Sequence, residues 1–223
     1  MACDLTRGRA LECKSSIGGL EAVYFINDDE FEPTDITYDG TDTEKITAIA
    51  GSQRAFHYDL KNDACTFTQN ITSDRNSGTT FFEQVLELTL PNLTVEDHKE
   101  LRLLAYANPK IMVRDKNDNF FLMGLKFGAD CTGGTAVTGG AMGDMSGYTL
   151  TFTAMEPVMA NFFDDTTESG LATNCGFIFI KGGGLVIQHQ TPGRIGQIGG
   201  EPSHRIARAG FDDAAAGQGQ SVN

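Results

Sequence analysis

From Tyr148 to Ala154 the chain alternates strictly: Tyr148, Leu150, Phe152 and Ala154 are separated by Thr149, Thr151 and Thr153. A two-residue period belongs to a β-strand with one apolar and one polar face, and a helix cannot satisfy it. A second such segment runs from Thr80 to Leu90. There Phe82, Leu86, Leu88 and Leu90 share one face, and Glu83, Glu87 and Thr89 share the other. Strands of this kind demand a sheet with one face on a core and the other in water. Glycine, at 26 of 223 residues, lies beside Thr- and Phe-rich runs, which favours a turn-rich β protein over a helical one.

Further strands are expected at 20–26, 45–50, 55–60 and 65–72, and a hairpin at 110–115 and 120–127 closed by the polar turn Lys116-Asn117-Asp118-Asn119. The Gly-rich stretch 133–147 reads as a loop. One helix is predicted after Thr94, a good N-cap, with Glu96 and Asp97 in the dipole-favoured first turn. Val95, His98, Leu101 and Leu104 are placed on or near its apolar face, and Asn108-Pro109 stops it.

Three regions follow. Residues 1–163 read as one β domain, and 164–190 as a linker plus a small C-terminal hairpin, 175–180 and 185–188, around Gly182-Gly183-Gly184. Residues 191–223 read as a Gly/Ala-rich arm, disordered unless docked on a neighbour. The fold class expected is mainly β: an antiparallel sandwich or barrel with one flanking α-helix, plus the hairpin extension.

The net charge is −13 and the pI about 4.6. That balance opposes a protein that grips nucleic acid, since grip needs Lys and Arg to displace counterions. It does not oppose one that DNA slides past, and it also serves solubility. The acid is concentrated in Asp28, Asp29, Glu30, Glu32, Asp35, Asp39, Asp42 and Glu44, with no Lys or Arg among them. This segment is expected to be a long loop or protruding hairpin that reaches an adjacent copy and orders only on assembly. Glu83 and Glu87 add acid on the wet face of the strand 80–90. Arg194, Arg205 and Arg208, with His204 nearby, form a candidate docking arm.

Signatures of chemistry are missing from the sequence. His57, His98, His189 and His204 form no HExxH, and there is no G-x-S-x-G elbow and no Walker A loop. The Gly139–Gly147 stretch joins strand to strand, so it lacks the helix N-terminus that binds phosphate. The clustered acids lack the spacing of a calcium loop. No enzyme activity, catalytic residue, cofactor or metal is therefore expected. Cys3, Cys13, Cys65, Cys131 and Cys175 are odd in number and without CxxC, so reduced, mostly buried thiols are expected. Neither an apolar signal core nor a run of membrane-spanning length is present, so synthesis in a cytoplasm and no membrane anchor are expected.

Four stretches carry a family resemblance: Thr79-Thr80-Phe81-Phe82-Glu83-Gln84-Val85-Leu86, Lys99-Glu100-Leu101-Arg102-Leu103-Leu104-Ala105-Tyr106, Asn119-Phe120-Phe121-Leu122-Met123-Gly124-Leu125, and Gly143-Asp144-Met145-Ser146-Gly147-Tyr148-Thr149-Leu150-Thr151-Phe152. They resemble small virion proteins of tailed phages and prophages, and residues 1–26 look like the start of the same proteins. The order strand, helix, hairpin, Gly-rich loop and strand is similar to the tail-tube fold. The resemblance implies a subunit of hexameric rings that stack around a channel for DNA, located in the virion and made in a bacterial host, with Asp28, Asp29, Glu30, Glu32, Asp35, Asp39, Asp42, Glu44, Glu83 and Glu87 as the candidate lumen-facing or inter-ring acids. Its partners would be copies of itself and other tail or neck proteins. Neck, tail-terminator and distal-tail rings share that fold and remain alternatives, as does a capsid decoration protein.

Overall fold

The computed structural model describes residues 8–9, 16–60, 64–182 and the backbone of 185–187. In chain order, β1 spans Leu20–Ile26, β2 Ile36–Tyr38, β3 Lys45–Ile49, β4 Gln53–Asp59, β5 Thr66–Asp74 and β6 Thr79–Pro91. Helix α1 covers Val95–Leu104, followed by β7 Lys110–Asp115, β8 Phe120–Met123, β9 Asp130–Val137, β10 Gly147–Glu156 and β11 Asn161–Phe163. Helix α2, Glu168–Asn174, leads into β12 Phe177–Lys181 and β13 Leu185–Ile187. The chain divides into two units, Met1–Thr191 and Pro192–Asn223. The second, with Arg194, Arg205 and Arg208, lies outside the described residues, as do Cys3 and Cys13.

The described structure is mainly β and contains two sheets. A nine-stranded sheet runs β13-β12-β4-β1-β7-β8-β11-β3-β2, and a four-stranded sheet runs β5-β6-β10-β9. Two expectations are corrected. The larger sheet is mixed, not antiparallel, because β12 pairs parallel with β4 and β11 parallel with β3. There are two α-helices where one was predicted, since part of the expected linker is α2. Thr167 caps that helix by accepting from Gly170 N at 3.1 Å.

Strand β1 explains why two sheets are needed. Tyr24 and Phe25 are adjacent and therefore point to opposite faces, yet both are buried. On one face Val23 and Phe25, with Ile111 and Val113 of β7, meet Leu86, Leu88, Phe152 and Ala154 of the small sheet. The Phe25 and Phe152 rings lie 5.3 Å apart across this interface. On the other face Tyr24, Met112, Phe120 and Leu122 pack with Phe177 and Phe179 of β12. Ile46 and Ile49 of β3 and Phe163 of β11 join the same cluster. Phe163 and Phe177 are only 6.0 Å apart although four strands separate β11 from β12 in the sheet order. The large sheet therefore curls around this core, as twist drives wide sheets to do. Leu171 and Ala172 of α2 also join it. The segment after residue 163 thus supplies core residues of the first unit.

Glycine placement explains another departure. Gly133 and Gly134 lie within β9, which pairs antiparallel with β10, so the expected loop is shortened to the residues between these two strands. A side chain at Gly134 would stand 2.7 Å from the Thr149 carbonyl oxygen and 2.9 Å from Leu150 Cδ2. Only glycine fits an edge strand laid so close over Leu150. The α1 prediction holds at its start, where Thr94 Oγ1 accepts from Asp97 N at 3.0 Å. Its apolar face differs, because Leu101 is buried while Val95 is 82% exposed.

These burials give a paired expectation. Phe177→Ala should cost about 3–5 kcal/mol in urea unfolding, because it opens a cavity in the curled sheet. Val95→Ala, despite its similar apolar character, should change stability by less than about 0.5 kcal/mol.

Candidate assembly surface

The four-stranded sheet has two unlike faces. Its inner face carries Phe67 of β5, Leu86 and Leu88 of β6, and Phe152 and Ala154 of β10, all packed on the large sheet. Register places Thr66, Glu87, Thr151 and Gly133 in one row across its outer face. Thr89, Thr149 and Thr135 form another, and Asn70, Glu83 and Met155 a third. Neighbouring polar groups in these rows bond to one another. Thr135 and Thr149 hydroxyls lie 2.6 Å apart, Thr66 donates to Glu87 at 3.3 Å, and Asn70 donates to Glu83 at 3.3 Å. None of the four strands contains a Lys or Arg. The outer face is a pavement of hydroxyls, an amide and carboxylates, interrupted by Val85 and Met155, and its strands supply no cation.

The edges of this sheet are β5 and β9. Both are long for edge strands, at nine and eight residues, and most of their residues are exposed. An edge strand offers a row of backbone donors and acceptors to another strand.

Glu83 and Glu87 lie where the alternation predicted, on the outer face. The acidic segment does not join them: its first part folds into short turns, and its second part, β2 and the turn 39–44, forms an antiparallel hairpin with β3 at one end of the large sheet. Residues Asp28–Glu30 and Pro33–Asp35 form short 3-10 turns, and β2 pairs antiparallel with β3. Phe31 and Ile36 are buried in the core enclosed by the large sheet. Five of the eight acids are held by partners within the fold. Asp28 accepts from the Lys110 ammonium, whose carbon stem is buried and which lies 5.2 Å from the Phe31 ring. Glu30 pairs with Arg54 Nε at 2.7 Å. Glu32 and Asp35 close a capping box. Asp39 accepts from Thr41 N at 2.7 Å and from Asp42 N at 3.2 Å, which holds its carboxyl below the usual range. The cations that fix this segment come from distant strands, so the sequence around it shows only unpaired acid.

Among the buried polar residues that the alternation does not single out, two fasten the small sheet. Gln84 Oε1 accepts from Gly124 N at 3.0 Å, and its amide donates to the Val158 carbonyl at 3.4 Å. Glu156 Oε1 accepts from Lys126 N and Phe127 N, each at 2.9 Å. Both tie neighbouring loops to the four-stranded sheet. The available signal was their place at even positions of the apolar faces of β6 and β10.

The densest ionisable cluster lies elsewhere, on β1, β4, α2 and β12. Tyr24 donates to Glu168 at 2.7 Å. His57 Nδ1 is 3.2 Å from Glu168 and His57 Nε2 is 2.9 Å from Asp59. These are ion-pair distances without hydrogen-bond alignment. Burial, then Glu168, raises the Tyr24 phenol far above its ordinary value. His57 above all, with Tyr24, lowers Glu168 to about 2 against the opposing effect of burial. Tyr24 keeps its proton inside the core, so the cluster reads as a clamp that fastens α2. Burial also raises the Cys65 thiol, and burial with Asp165 lifts Cys175 to about 12, so neither is poised as a nucleophile. Among the described residues no group of three or more His, Cys, Asp or Glu is placed to hold a metal, and no helix is long and apolar enough to cross a membrane.

Comparison with protein-family models, curated proteins and solved structures finds no match to the chain.

Because the folded Glu168 carboxyl titrates below its ordinary 4.5, its contribution to stability is present above about pH 5 and lost as pH falls toward 2. Glu168→Gln should therefore cost about 1–2 kcal/mol at neutral pH, after allowance for solvent screening, and the difference from the wild type should shrink below about pH 4 and vanish only below about pH 2. Urea denaturation across this pH range measures the difference.

Proposed function

We propose that the chain is a virion structural protein of the tail-tube kind, whose copies associate side by side into rings around a passage for DNA. The observation that carries this reading is the four-stranded sheet. Among the described residues it combines two long unpaired edges with an outer face that bears Glu83 and Glu87 and whose strands contain no Lys or Arg. If β5 of one copy pairs with β9 of the next, the small sheets join into a continuous wall and both edges are satisfied. Head-to-tail contacts of that type close into a ring. The face turned to the passage would then be the hydroxyl and carboxylate pavement. DNA phosphates find no Lys or Arg there to displace their counterions, so they pass without being held. The family resemblance in residues 79–163 spans β6, β9 and β10 of this sheet, though not the edge strand β5, together with α1 and the β7–β8 hairpin.

The acidic segment 28–44 takes another place in this reading. It is part of the folded subunit and does not act as a strap that orders on assembly. Deleting 29–42 would remove Phe31 and Ile36 from the core, so such a protein should be unfolded.

Negative-stain electron microscopy at rising protein concentration and low salt tests the proposal, with rings or hollow tubes of regular repeat expected. Discrete particles that never associate would overturn it, and rings that never stack would favour the neck or terminator alternative. Thr68→Lys combined with Thr135→Lys places like charges at the two edges. This variant should keep its circular dichroism and lose assembly. A separate variant, Glu87→Lys with Thr151→Lys, should still assemble but retain DNA in a salt-dependent manner, measurable by filter binding of the assembled particles.

A further inference from the structure

Helix α1 is loosely seated. Of its residues only Leu101 is buried, and Leu103 remains 51% exposed. Between the helix and strands β1, β4 and β12 lies a cleft of about 740 Å³. Its apolar lining includes the Phe25, Phe56 and Tyr58 rings, with Leu103, Leu104 and Ile180. Phe25 and Tyr58 meet edge to face at 5.1 Å. Four carboxylates, Asp59, Glu96, Asp97 and Glu100, also line it. Among the described residues Lys181 is the one Lys or Arg in the lining, and its ammonium stands 3.8 Å from Asp59. The field of the helix acids reaches the aromatic residues, since burial together with Glu100 and Asp97 pushes the Tyr58 phenol up to about 12.

An apolar, ring-lined cleft with an acidic rim suits a guanidinium or ammonium carried on an apolar stem. The stem packs on the rings, and the cation meets both ring faces and carboxylates. The sequence contains such a segment in His204-Arg205-Ile206-Ala207-Arg208, where two arginines bracket an isoleucine. We propose that this cleft is a docking site for the Arg205–Arg208 segment of a second copy of the chain. The inference deepens the assembly reading, rests on its premise that copies associate, and names the acid that the arginines meet. That acid is the α1 rim, because Asp28 and Glu30 of the 28–44 segment are already paired within the fold.

The test uses the full chain carrying Arg205→Ala and Arg208→Ala as receptor, so that its own arginines do not compete. The probe is a fluorescein-labelled synthetic peptide of residues 200–211, followed by fluorescence anisotropy. Saturable binding that weakens with added salt is expected. Glu96→Gln with Glu100→Gln in the receptor should weaken it roughly fivefold or more, and Glu100→Arg should weaken it further, with circular dichroism unchanged in each. A peptide with both arginines replaced by alanine should not bind. Absence of saturable binding to the folded receptor, or binding indifferent to the α1 carboxylates, overturns the proposal. The peptide is read on the receptor whether or not rings form, so failure of ring formation in the microscope counts against the sheet-edge reading alone.

Discussion

Burial of β1 on both of its faces is the constraint on which the rest of the described structure depends. A strand that presents Tyr24 to one side and Phe25 to the other cannot serve a one-sided sheet, because one aromatic row would remain in water. The four-stranded sheet covers the Phe25 side. The Tyr24 side is covered by the large sheet itself, curled so that Phe163, Phe177 and Phe179 close over it, and by α2. Helix α2 and β12 therefore complete the core and are not an appendage. Tyr24 extends the same logic into electrostatics. Its hydroxyl must be satisfied inside the protein, and Glu168 at the start of α2 satisfies it.

Charge is distributed by the same rule. The 28–44 segment is entirely acidic in sequence, but its folded environment supplies the missing cations, Lys110 from β7 and Arg54 from β4. A buried ammonium such as that of Lys110 is costly unless paired, so the acid belongs to the core that it covers. The contrast with the four-stranded sheet is informative. There Glu83 and Glu87 meet only hydroxyl and amide partners, and no cation occurs in any strand. The first acidic region is partly engaged in holding the fold, while Glu83 and Glu87 stand on a sheet face whose strands carry no cation.

The surfaces on which the proposed assembly rests follow from this division. The small sheet gives its apolar face to the core and keeps its polar face and both edges unused. Helix α1 covers the end of the sheet packing without filling the space beneath it. A rim of acid around aromatic rings remains there, suited to a cation on an apolar stem. Each surface is what remains after the two cores have taken the residues they need.

The sequence by itself determined the features that are local. The alternations at 80–90 and 148–154 appear as β6 and β10 with the expected residues on each face. Thr94 caps α1, and the polar turn after Asp115 joins β7 to β8. In each case the signal and the structure lie within a few residues, because period, cap and turn geometry are properties of the backbone there. Only the tertiary structure decided that the acidic segment is folded, that 164–181 supplies a helix and a parallel central strand, and that Gly133 and Gly134 belong to a strand. Those outcomes depend on partners distant in sequence: Lys110 for Asp28, β4 for β12, and Leu150 beneath Gly134. A local pattern carries no record of which remote residue will come to lie against it.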